Sequence, residues 1–164
     1  MNASSSKSIN LILFILSLIG CFISVFLTIK YVQNADIPCS RGVSDCNAVA
    51  HDDAAWGLGI PALKAIPTPA LGMLMYVTLI GLCLSRVVSN AESVQRKVGV
   101  LQWSVAFIGL LISGYLTWRE AAVIHHWCTW CLASAAIVLL IFILSSAERF
   151  GVKPRAGTRG LEPT

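Results

Sequence analysis

Charge is what this sequence has least of. Only 12% of its 164 residues are Asp, Glu, Lys or Arg, against roughly 25% in an ordinary soluble domain. Hydrophobic residues make up 56%, and the few charges gather in short segments between long runs that have none. Such a chain cannot clothe a soluble surface; it reads as an integral membrane protein. Also missing is any basic stripe with interleaved aromatics. The net charge of +4 comes from cations beside apolar runs, where they set topology and meet lipid headgroups. Nucleic-acid binding is therefore set aside.

The apolar runs give four spans, over 9–29, 69–88, 98–118 and 128–147. Ile9–Ile29 carries no charge and reaches about 31 Å as a helix, enough to cross a bilayer. Leu18-Ile19-Gly20-Cys21 resembles a lipoprotein cleavage box, but Phe22–Leu27 continues the run beyond it. The segment is therefore expected to stay as the first helix rather than to be cleaved. Residues 1–8 and 148–164 flank a membrane domain over 9–147, and the Gly/Pro/Arg tail is expected to be disordered. The fold class expected is an all-α membrane protein, a four-transmembrane-helix bundle. Its first outward loop, 30–68, should carry a short amphipathic helix, capped at Ser44-Asp45 and running through Ala55. Arg86 is expected to snorkel, and Gly99, Gly109 and Gly114 to mark close packing in the third span.

Six cysteines lie at 21, 39, 46, 83, 128 and 131. Cys21 and Cys83 fall inside apolar runs and read as small hydrophobes. Cys128 and Cys131 open the fourth span; three apart, they share one helix face, about 4.5 Å apart along the axis. That places Cys128 at the wet end and Cys131 deeper. A helix N-terminus favours the thiolate, the reactive form in exchange. Such a pair suits a relay from a water-soluble thiol to something dissolved in the bilayer. His125 and His126 beside it read as interfacial, or as cations favouring the Cys128 thiolate.

Lys and Arg decide the orientation independently. Lys7, Arg86, Arg96, Lys97, Arg149, Lys153, Arg155 and Arg159 lie on one side; Lys30, Arg41, Lys64 and Arg119 lie on the other. The excess puts both termini in the cytoplasm. Both cysteine-bearing loops then face the compartment where disulfides persist. Cys39 and Cys46, in the first of these loops, form either an ordinary loop disulfide or a second redox pair, since exchange passes between neighbouring pairs through mixed disulfides. A zinc site drawing on Cys39, Cys46, His51, His125 and His126 lacks the short C-x2–4-C spacing in the first loop. A metal-binding or purely structural membrane protein is the alternative.

Together these features resemble the vitamin K epoxide reductase family: four spans, a spaced pair in the first outward loop, and a C-x-x-C opening the last helix. Cys46 is followed by Asn-Ala-Val and then by Trp56-Gly57-Leu58-Gly59-Ile60-Pro61, similar to the family's post-cysteine helix and Gly-Ile-Pro element. Pro69–Tyr76 resembles its second-helix Gly-xxx-Tyr, and Gly114–Trp118 the end of its third helix. The resemblance covers about 9–147 and is to a bacterial-type homologue without a fused thioredoxin domain. It implies that Cys39 exchanges with a soluble thioredoxin-fold (DsbA-like) thiol protein. Cys46 then passes electrons to Cys128, and Cys131 faces a membrane quinone of ubiquinone, menaquinone or vitamin K type. The implied setting is a bacterial inner membrane, and the implied activity supports disulfide formation. A DsbB-type oxidase has the two kinds of cysteine pair in the reverse order.

The sequence also departs from the family. His51-Asp52-Asp53 stands where a Ser or Thr is frequent, and Ala135 where the animal enzymes have Tyr. Residues 61–69 carry extra Pro. Trp56, Thr68 and Tyr76 are the candidate quinone-binding residues, while Asp52 and Asp53 read as a solvated helix face. No metal ligand set is assigned.

Overall fold

The computed structural model describes residues 3–39, 45–89 and 91–149. Four long helices make the body: α1 (Ala3–Val32), α3 (Thr68–Val88), α4 (Glu92–Arg119) and α5 (Thr129–Arg149), with the short α2 (Cys46–Ala50) in the first loop. All four long helices are apolar and long enough to cross a membrane. α1 packs on α3 and α5, and α4 on α5 and α3. Large side chains such as Phe22, Leu74, Val87 and Ile143 lie on the outside. An apolar exterior on this scale fits a lipid-facing bundle, and the protein is an integral membrane protein.

The core has two parts, one toward each end. Leu13, Tyr76, Leu79, Ala106, Val138 and Ile141 fill one. The other gathers Ile23, Leu27 and Tyr31 from α1 with Cys46, Val49 and Ala55 from the loop, and Cys128. The first loop is thus a packed cap on one end of the bundle. Two glycines let the helices close up. A Cβ on Gly20 would enter the Tyr76 ring, and one on Gly109 would meet the Met75 sulfur. Gly109 therefore has its expected role, whereas Gly99 and Gly114 face open space. Spacing alone does not say which helix face meets a neighbour.

Local chemistry moved several boundaries. The loop helix expected through Ala55 is broken in two. Asp45 caps α2 by accepting from the Asn47 and Ala48 N–H groups, but Asp52 accepts from Ala54 N–H and starts a separate 3-10 turn, Asp53–Ala55. A second capping side chain ended the first helix. The third helix outruns the expected 98–118 at both ends. Beyond Arg119, a stretch expected as loop winds into a π turn, Glu120–Ile124, ended by His125 in the left-handed region at φ 57°. Arg86 does not snorkel. It turns inward to pair with Glu148 and donates to Gln102 Oε1 (3.2 Å), so its charge and donors are met inside the bundle. The tail from 150 and the loop over 40–44, including Ser44 of the expected cap, lie outside the described residues.

Candidate active site

Asn47 ties down the approach to the first cysteine pair, accepting from Ile37 N–H (3.0 Å) and donating to Asp36 (3.3 Å). Trp130 Nε1–H donates to Pro38 O (2.8 Å), pinning the residue before Cys39 onto α5. Its ring also packs against Phe26, 5.1 Å between centroids. Cys39 and Cys46 are joined in a disulfide, with Cα atoms 6.0 Å apart. Cys46 is buried and Cys39 half-buried.

Cys128 and Cys131 are free thiols. Cys128 sits where an N-cap residue sits: its carbonyl accepts the Leu132 N–H (3.0 Å), and its sulfur accepts the Cys131 N–H (3.3 Å). Its pKa lies below the ordinary thiol value. The largest cause is the hydrogen bond from the Cys131 side chain, helped by the Cys131 and Trp130 N–H groups; burial and the Glu120 carboxylate oppose it. The wet-end expectation for Cys128 needs correcting. It is only 1% exposed, packed in one cluster with Cys46, Val49 and Ala55. The loop covers it because those apolar side chains bury against α1 and the start of α5.

Cys131 is instead on the wall of a cavity of about 380 Å³ between the four long helices. The lining is mainly aliphatic, with Leu71, Met75, Val105 and Ile112 among its members. Thr68 and Tyr76 also line it. The Thr68 hydroxyl donates to Ala54 O (2.7 Å) and accepts from Leu58 N–H (3.2 Å). It holds down a turn in which Gly57, Leu58 and Gly59 all have positive φ. Tyr76 OH donates to Ser134 O (3.1 Å) and lies 2.9 Å from Ser134 Oγ. Trp56 is behind the wall, its ring 6.2 Å from that of Tyr31, which does line the cavity.

Helices that cross a membrane bring two cysteine pairs, one oxidised and one reduced, to one end beside an apolar cavity. The model of the vitamin K epoxide reductase family matches residues 11–146. The chain belongs to that family. Membership makes it a membrane thiol oxidoreductase. No curated protein matches the chain.

Three functional neighbours escaped the reading of the family's motifs. Asp52 is not on a solvated face; it pairs with Arg119 Nη2 at 2.9 Å, and both line the cavity. Asp53 does face solvent, beside Lys64. Tyr31 is buried among loop and helix. Glu120, 2% exposed, accepts the Cys128 N–H at 3.0 Å. The one sequence signal was Arg119-Glu120 itself, a charged pair ending an apolar run and taken for loop. His125 and His126 are exposed. With the Cys39 and Cys46 sulfurs bonded to each other, neither is a thiolate ligand. Among the described residues no three His, Cys, Asp or Glu are grouped to hold a metal ion.

Proposed function

We propose that this protein oxidises thiols outside the cytoplasm and reduces a membrane quinone. A soluble thioredoxin-fold partner exchanges with the Cys39–Cys46 disulfide, reducing it. Cys46 then exchanges with the Cys128–Cys131 pair, and Cys131 delivers two electrons to a quinone of ubiquinone, menaquinone or vitamin K type. The net result is one disulfide in the partner, which supports disulfide formation in a bacterial inner-membrane setting with both termini cytoplasmic.

One observation carries this reading: Cys128 packs with Cys46 under the loop, while Cys131, three residues on, lines an apolar cavity. Thiol exchange needs the first neighbourhood, and reduction of a lipid-soluble ring needs the second. Within the cavity, Thr68 and Tyr76 act as wall-builders, since their hydroxyl hydrogens are already engaged. Trp56 supports Tyr31 from behind.

The test is Cys131→Ala, purified and assayed for quinone reduction with a reduced thioredoxin-fold protein as donor. Turnover should fall to background. Undiminished turnover would sink the relay.

A further inference from the structure

Glu120 is the one buried carboxylate at the cysteine end of the bundle among the described residues. Its Oε2 accepts the Cys128 N–H at 3.0 Å, and it lines the same cavity as Cys131. Burying an acid in apolar surroundings is unfavourable unless a cation or several donors meet it. The obvious cation is Arg119, the preceding residue, but its guanidinium is directed to Asp52 of the loop. Among the described residues no Lys or Arg is within ion-pair distance of Glu120. The titratable groups that line the cavity with it are Tyr31 from α1, Asp52 from the loop, Tyr76 from α3, Arg119 from α4 and Cys131 from α5. Nothing in the packing requires an acid here; a Gln would satisfy the Cys128 N–H equally well.

We infer that Glu120 takes the proton of the Cys131 thiol when the Cys128–Cys131 disulfide closes and returns it to the reduced ring. The inference rests on the quinone reading above for the second half of that transfer. In the step, two S–H bonds break and one S–S bond forms. Two electrons pass to the quinone. The Cys131 proton goes to Glu120 and from there to a quinol oxygen. The Cys128 proton leaves to solvent, and solvent supplies the second quinol proton. Glu120 is a carboxylate again once the ring has taken the proton; where no quinone is present, it keeps the proton. Positioned proton transfer of this kind is worth about 10²–10⁴-fold in rate.

The test has two arms. In the first, Glu120→Gln keeps an acceptor oxygen for Cys128 N–H and removes the acid, with Glu120→Asp as the conservative variant. Quinone turnover should fall about 100-fold in Glu120→Gln and recover in part in Glu120→Asp. Exchange of the Cys39–Cys46 disulfide with the thiol partner should stay within about two-fold. Wild-type turnover in Glu120→Gln overturns the inference. The second arm needs no quinone and no variant. Infrared difference spectra of the wild-type protein, dithiol against disulfide, should show one carboxylate becoming a carboxylic acid on oxidation. A spectrum with no carboxyl change also overturns it. If the carboxyl signal is present but wild-type protein reduces no quinone, the quinone reading fails while proton uptake by Glu120 stands.

Discussion

The Asp52–Arg119 pair fastens the first loop over Cys128, and breaking it should expose that thiol by a predictable amount. Asp52 accepts from Ala54 N–H (2.9 Å) through one oxygen and from Arg119 (2.9 Å) through the other. Asp52→Asn keeps an oxygen for Ala54 and loses the charge-assisted bond, worth about 1.5–3 kcal/mol. The side chains remain 15% and 22% exposed, so water reclaims part of this and about 1–2 kcal/mol is left. That corresponds to a roughly 5–30-fold larger population with the loop open. Arg119→Met should act alike, leaving Asp52 half-buried without its cation. The double variant should rise no further than the larger single one, because both remove a single interaction. The assay is the rate of Cys128 alkylation by a water-soluble maleimide, in a Cys131→Ser background with Cys39–Cys46 oxidised. Where loop opening is fast relative to alkylation, that rate tracks the open population. Unchanged single-variant rates, or effects that add fully in the double variant, would refute the loop-fastening role.

Three other outcomes follow from the geometry. Thr68→Val should orphan Ala54 O and Leu58 N–H, destabilising the loop by about 2–4 kcal/mol; thermal unfolding in detergent reads this, and Thr68→Ser should stay near wild type. Gly20→Ala should press a methyl into the fully buried Tyr76 ring, lowering stability by about 1–3 kcal/mol in the same assay. Cys131→Ala removes the largest cause of the lowered Cys128 pKa. The Cys128 thiolate then persists less far toward acid, so the pH profile of its alkylation should move to higher pH; a profile that stays put contradicts a hydrogen bond from the Cys131 thiol to Cys128.

Hydrophobic runs and cation placement were enough to read four membrane helices and a cysteine loop, because in lipid a single segment satisfies its own backbone only as a helix and charge marks the ends. The Cys128–Cys131 spacing likewise showed that the pair opens a helix, since period and punctuation are local properties. Tertiary structure decided the rest. It buried Cys128 beneath the loop and left Cys131 on the cavity wall. It turned Asp52 from a surface residue into the partner of Arg119, 67 positions away. It spent the Thr68 hydroxyl on the loop backbone, and it set Glu120 on the Cys128 N–H, lining the same cavity as Cys131. Each of these depends on which faces meet when α1, α4, α5 and the loop pack together. A charge ending an apolar run looks the same in sequence whether its partner is water or a side chain far along the chain.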